Sequence, residues 1–135
     1  MNQTEQSNVT IDAIHRTQNR QKDRIQILTT LNGAYLPRLQ VLLTSIRASQ
    51  PEKAADIWLM HSGIPQEDLE PVTRQCGDMG YGFHPLLIDS TAFADAPVSR
   101  QYPREMYYRL LAPFFLPGHL HRILYLDPDI LVINP

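Results

Sequence analysis

The chain is poor in cysteine. Its 135 residues include one, Cys76, so no internal disulfide can form and nothing demands an oxidising compartment. Cys76 reads as a small core residue rather than a nucleophile. Long apolar runs are also missing. No stretch could cross a membrane as a helix, and no apolar segment near the start resembles a secretory signal. The expected location is the cytoplasm, with peripheral contact at the inner face of a membrane left open. Basic excess is missing too. The formal charge is −2, whereas a general nucleic-acid binder is normally basic. Neither Gly-x-Gly-x-x-Gly nor a Walker pattern is present, so a dinucleotide fingerprint and a P-loop are both unsupported. No Gly-x-Ser-x-Gly or Cys-His arrangement points to a nucleophilic hydrolase.

What is present is ordinary globular composition, 43% hydrophobic, in a length that suits one domain. A chain of this size buries roughly two-thirds of its unfolded surface, so a core forms without staples. Residues 1–24 form a polar leader, with at most a weak amphipathic turn near Ile11 and Ile14. Residues 25–135 carry the folded part. Ile25 to Thr30 is a β-branched strand that ends at the turn Leu31-Asn32-Gly33-Ala34-Tyr35. A helix starts near Leu36 with Pro37 in its first turn, buries Leu39, Leu42, Leu43 and Ile46, and stops before Pro51. Asp56 to His61 is a second strand. Glu67 and Asp68 favour the first turn of a second helix, which runs to Met79 and closes at Gly80 and Gly82. Phe83 to Ile88 is a third strand. The segment from Asp89 to Pro103 is a long loop, and loops this long are usually functional or disordered. A third helix begins at Pro103 and must end near Pro113 or Pro117. This alternation predicts an α/β domain with a mostly parallel sheet and right-handed crossovers.

The last stretch holds the candidate chemistry. Ile123 to Leu126 is an apolar run that arrives at Asp127-Pro128-Asp129, and Ile130 to Ile133 is a second apolar run that leaves. Both runs read as buried strands. An unpaired carboxylate inside a buried strand is very costly, so the acids belong at the strand's carboxyl end, where ligands bind in open α/β sheets. Two carboxylates on a stiff turn offer hard oxygens to Mg²⁺ or Mn²⁺. Asp-Pro-Asp alone is ordinary turn chemistry; the flanking apolar runs favour a site. Arg109 sits in an apolar helical stretch, so it either snorkels or faces an anion, which its planar fork suits. Tyr35 either stacks on a base or packs on the first helix. His61 and His84 read as core residues, and His119 and His121 as a surface pair without a nearby acid or Cys. The sequence reaches Pro135 just after an apolar run, with no closing helix, which predicts a domain continuing past it.

Tyr107-Tyr108-Arg109-Leu110-Leu111-Ala112-Pro113, followed by Arg122-Ile123-Leu124-Tyr125-Leu126-Asp127-Pro128-Asp129-Ile130-Leu131-Val132, resembles the family-8 retaining glycosyltransferases, bacterial lipopolysaccharide glucosyl- and galactosyltransferases among them. The resemblance covers about residues 25 to 135. It implies a GT-A type fold with a Rossmann-like nucleotide-binding half. It also implies transfer of a hexose, glucose or galactose, from a UDP-sugar to a glycan or lipopolysaccharide-type acceptor. By resemblance, Asp127 and Asp129 bind Mn²⁺ or Mg²⁺ and through it the donor diphosphate, Arg109 contacts the donor, and Tyr35 stacks at the uracil. Thr30 and Leu31 would line the base site with their backbone, and Asn32 stands in a turn that is acid-rich in many members. The family's further metal-ligating histidine and most acceptor residues would fall beyond residue 135, and no catalytic nucleophile is identified. Two other readings stand beside this one. A non-catalytic sugar-nucleotide-binding fragment would share the same site. A phospho-acceptor signalling domain would need an acid pair after the first strand, which Leu31-Asn32-Gly33 does not supply. An exposed Ile130 to Ile133 would favour self-association, so the oligomeric state stays open.

Overall fold

The computed structural model describes residues 11–13, 15–16, 23–89, 91, 95, 97 and 104–135. Most of the loop after Asp89, and Pro103, lie outside the described residues. Residues 11–13 and 15–16 are helical. The folded part runs β1 (Ile25–Thr30), a 3₁₀ turn (Gly33–Tyr35), α1 (Leu36–Ser49), β2 (Ala55–His61), α2 (Gln66–Met79) and β3 (Gly82–Leu87). It then continues through α3 (Glu105–Tyr108), a second 3₁₀ turn (Arg109–Leu111), α4 (Ala112–Phe115) and β4 (Leu124–Tyr125). The strands form one sheet in the order β3-β2-β1-β4. Every pairing is parallel: Ile27 lies opposite Ile57 and Leu124, and Ile57 opposite Phe83. This is the α/β architecture with a parallel sheet that the alternation predicted.

Alternation along the strands divides the core in two. Ile27, Ile57 and Leu59 point to one face, where Leu39, Leu42, Leu43 and Ile46 of α1 and Leu69, Val72 and Cys76 of α2 cover them. Leu28 and Met60 point to the other face and meet Ile88, Tyr108 and Ala112. Apolar side chains stand on both faces of β1 and β2 because both faces of a parallel sheet are covered. α2 ends where Gly80 takes φ 70°, with the Tyr81 N–H donating to the Cys76 carbonyl at 2.8 Å. Glycine adopts that left-handed turn at no steric cost. Cys76 is fully buried, and burial pushes its thiol up to about 11, which suits a packing role. Among the described residues no helix is long and apolar enough to cross a membrane.

Two expectations are corrected. Ile130 to Ile133 is not a strand. β4 is two residues long, and the chain beyond Asp129 meets α1 instead of a neighbouring strand. There the Val132 N–H donates to Ser45 Oγ at 3.0 Å and Ser49 Oγ donates to the Val132 carbonyl at 2.9 Å. Hydroxyls on a helix thus take the backbone bonds a ladder would have made. The third helix is not continuous either. Pro113 lacks the N–H that would bond the Arg109 carbonyl. Ala112 donates to that carbonyl instead, which tightens the chain into a 3₁₀ turn.

At the amino ends of the strands, Asp56 near the start of β2 collects donors from the starts of β1 and β3. Arg24 Nε and Nη2 reach it at 2.9 and 3.1 Å, Gln26 Nε2 at 2.9 Å, and His84 Nε2 lies at 3.2 Å. Trp58 stacks on His84 at 4.1 Å and donates its indole N–H to Gln26 Oε1 at 2.8 Å. A Cβ on Gly82 would run into the Asp56 carboxylate, so this cluster also explains the glycine that opens β3. Burial alone would push the Asp56 carboxyl up, but its bonds to Arg24, Gln26 and His84 outweigh that and hold it at about 2. Because its folded value lies below the unfolded one, near 3.9, the stabilisation is present above pH about 4 and is lost as pH falls toward about 2. Asp56→Asn should therefore cost about 2 kcal/mol of unfolding free energy at neutral pH and progressively less between pH 4 and pH 2. Urea denaturation across that range measures it, and a cost independent of pH would refute the ionic account.

Candidate functional site

The winding of the sheet places the site. From β1 the chain steps to β2 and then β3 on one side. It returns to pair β4 on the other side of β1. The direction of winding therefore reverses between β1 and β4. In open α/β sheets the crevice outside the carboxyl ends at such a reversal is where ligands bind.

Both strand ends at this crevice carry polar groups. Thr30 closes β1, and its Oγ1 lies 3.2 Å from the Tyr125 hydroxyl at the end of β4. The Leu126 N–H donates to the Leu28 carbonyl at 3.0 Å, carrying the pairing one residue past the strand. The chain then leaves the sheet at Asp127. Pro128 is buried, while Asp127 and Asp129 on either side are exposed. The proline thus anchors the turn and its two neighbours project into solvent. The 3₁₀ turn carries Arg109, whose guanidinium carbon sits 5.3 Å from the centroid of the Tyr125 ring. Burial pushes the Tyr125 hydroxyl above its ordinary value; the Thr30 bond opposes that, Asp127 adds to it, and Arg109 opposes it. Thr30, Arg109 and Asp127 therefore meet around one aromatic side chain. Tyr125 was not among the sequence candidates. Its place in the same short strand as the acids was the available signal.

The other sequence candidates line the β1 exit. Leu31 is 2% exposed, so only its backbone can face a ligand. Asn32 Oδ1 accepts from the Ala34 N–H at 3.0 Å and caps the 3₁₀ turn, a local bond typical of Asn in turns. Tyr35 is 36% exposed, with the Arg38 guanidinium carbon 4.8 Å from its ring centroid. One face of that ring is thus taken by a cation. His61 is buried beside this exit. Its Nδ1 accepts the Ile64 N–H at 3.1 Å, and desolvation lowers its pKa, so it braces the turn after β2 as a neutral ring. His84 belongs to the Asp56 cluster at the opposite end of the sheet, and His119 and His121 are exposed.

The donor set suits a hard divalent cation. Asp127 and Asp129 supply two carboxylates, and no cluster of three or more His, Cys, Asp or Glu side chains surrounds them among the described residues. Mg²⁺ is commonly held by one or two carboxylates, with waters and substrate phosphates completing the sphere. Two open acids at a strand tip fit that mode better than a closed all-protein cage.

The Thr30–Tyr125 bond ties β1 to the short edge strand. Tyr125→Phe and Thr30→Val should each cost about 1 kcal/mol. As both remove the same bond, the double variant should cost little more than either alone. Equal and fully additive losses in urea melts would show that the two hydroxyls act separately.

Comparison with known proteins agrees with this geometry. The sequence model of glycosyl transferase family 8 matches residues 26–134. The fold is similar to that of the galactosyltransferase LgtC in complex with donor and acceptor sugar analogues, with TM-score 0.74, 22% identity, and 82% of this chain and 40% of that one covered. An active-site mutant of LgtC matches equally well. The bifunctional glycosyltransferase WbbM, solved without ligand, matches with TM-score 0.60 and 17% identity, over 79% of this chain and 19% of that one. The chain thus spans about two-fifths of the length of LgtC. Comparison with curated proteins finds no significant match.

Proposed function

The chain belongs to glycosyl transferase family 8, and from that premise we propose that it is the donor-binding part of a retaining hexosyltransferase, moving glucose or galactose from a UDP-sugar to a glycan acceptor of lipopolysaccharide type. The observation that carries this reading is the exposed pair Asp127 and Asp129 at the β1/β4 reversal, with Arg109 over the ring of Tyr125 at the end of β4. A nucleoside diphosphate leaving group needs its negative charge neutralised as the sugar departs. Mn²⁺ or Mg²⁺ bound there would supply that charge. The side chains of Asp127 and Asp129 would hold the cation, and Arg109 would add a fixed positive charge toward the phosphates. Tyr35 would offer the free face of its ring to the uracil, with Arg38 behind it. The backbone of Thr30 and Leu31 and the Asn32 side chain would line the base. LgtC, solved with donor and acceptor sugar analogues, supports a two-substrate reading.

A second reading has its own support. The chain spans about two-fifths of LgtC's length, and two carboxylates are the whole ligand set that it gathers among the described residues. A unit like this could bind the sugar nucleotide without completing the transfer.

Calorimetric titration of the chain with UDP separates the outcomes. Binding should require Mn²⁺ or Mg²⁺ and should weaken at least about tenfold in Asp127→Asn and in Asp129→Asn, the loss expected when a charged ligand to the cation becomes neutral. Binding that is indifferent to metal and to both substitutions would reject the assignment of these acids. Transfer from a UDP-sugar by this chain would reject the non-catalytic reading.

A further inference from the structure

Two arginines near opposite ends of the sheet are handled differently. Arg24 donates through Nε and Nη2 to the Asp56 carboxylate, and through Nη2 to the Ala55 carbonyl at 2.9 Å. Its donors are spent inside the fold. Arg109 is exposed and, among the described residues, has no carboxylate partner. The contact that its guanidinium makes is with Tyr125, whose ring centroid lies 5.3 Å from the guanidinium carbon. A cation over an aromatic face is attracted by that face. The N–H groups of a guanidinium lie in its own plane, so they stay available to an anion. Tyr125 can act as a support because it is itself fixed from several sides. Its backbone pairs with Leu28, its side chain packs on the cluster of Leu28, Met60, Ile88, Tyr108 and Ala112, and its hydroxyl lies 3.2 Å from Thr30 Oγ1. Tyr108 and Ala112 flank the 3₁₀ turn that carries Arg109, so the arginine and its support are joined through one piece of core.

From this arrangement we propose that Tyr125 is a positioning residue: its ring holds the Arg109 guanidinium at the end of β4, with its N–H groups open to the diphosphate of the donor. The role rests on the donor-site reading above and names a side chain that reading leaves unused. A free arginine side chain has many rotamers and loses them when it grips a phosphate. A guanidinium already held on a ring has lost part of that freedom before the ligand arrives, and such preorganisation is expressed as affinity. Asp127 and Asp129 follow Tyr125 by two and four residues. The strand end that carries the proposed cation ligands therefore also sets where the fixed positive charge stands. The Thr30 bond restrains the ring from its hydroxyl end, but the face that meets Arg109 is common to tyrosine and phenylalanine. The ring is thus the essential part, and the hydroxyl refines its placement.

Calorimetric titration with UDP in the presence of Mn²⁺, set beside titration with uridine, tests this. Tyr125→Leu removes the ring and should weaken UDP binding about fivefold. It should leave uridine within about twofold of the parent, since uridine brings no phosphate for Arg109 to meet. Tyr125→Phe keeps the ring and should bind UDP within about twofold of the parent. With Arg109→Gln already in place, Tyr125→Leu should cost UDP binding nothing further, because the group it supports is gone. A merely structural role would weaken both ligands, with or without Arg109. Tyr125→Leu that binds UDP as well as the parent, or that adds its full loss in the Arg109→Gln background, overturns the proposal. A second measurement needs no folded Tyr125 variant. In the NMR spectrum of the parent, the Arg109 Hδ resonances, assigned by their absence from Arg109→Lys, should be shifted upfield by the ring; unshifted resonances overturn the proposal too. If the parent binds no UDP with Mn²⁺, the donor site and this role fall together. If UDP binding needs Asp127 and ignores Tyr125, the role falls alone.

Discussion

The reversal of winding at β1 is the constraint from which the rest follows. A parallel sheet needs a crossover for every strand pair, and right-handed crossovers fix which face each connection covers. Two steps in one direction place α1 and α2 together on one face. The return to β4 puts α3, the 3₁₀ turn and α4 on the other. Only at the β1/β4 boundary do connections leave in opposite directions, which opens a crevice above the strand ends. Thr30, Tyr125 and Asp127 reach that crevice because they end the two strands that border it. Arg109 reaches it because its connection covers that face.

The two ends of the sheet treat carboxylates in opposite ways, and the contrast separates structure from chemistry. Asp56 is 13% exposed in its side chain and has donors from Arg24, Gln26 and His84. Removing a charge from such a group leaves several donors unmatched. It has no lone pair to spare for a ligand. Asp127 and Asp129 stand exposed on either side of a buried proline. The protein buries the proline between them and leaves both side chains exposed to solvent. A saturated acid holds strands together, whereas an open pair at a strand tip remains able to take a cation.

How far this was legible follows the range of each signal. Strands β1 to β3 and helices α1 and α2 could be read because each is long enough to show its own period, with caps such as Pro37 and Gly80 where local chemistry requires them. The position of Asp127 and Asp129 at a strand end could be read from the cost of burying charge. The fate of Ile130 to Ile133 could not. An apolar run becomes a strand only if a neighbour offers a ladder, and that neighbour is a tertiary fact. Here Ser45 and Ser49, far away in sequence, supply the backbone bonds instead. The Asp56 cluster escaped for the same reason, since its members come from three strand starts. Tyr125 was hidden by its neighbours: beside two acids, an aromatic in an apolar run reads as packing.

Pro113 shows how a local rule can set a tertiary contact. Its missing N–H removes the helical partner of the carbonyl four residues before it, which belongs to Arg109. The backbone recovers by bonding that carbonyl to the Ala112 N–H, and the tighter turn rotates successive side chains by about 120° rather than 100°. Arg109 sits at the first position of this turn, over Tyr125. The spacing of arginine and proline thus has a physical reading: the proline sets where the helix tightens, and the tightening bears on where the arginine points. With an ordinary helical residue at 113, the α-helix could run on through Arg109, and the guanidinium would swing away from the end of β4.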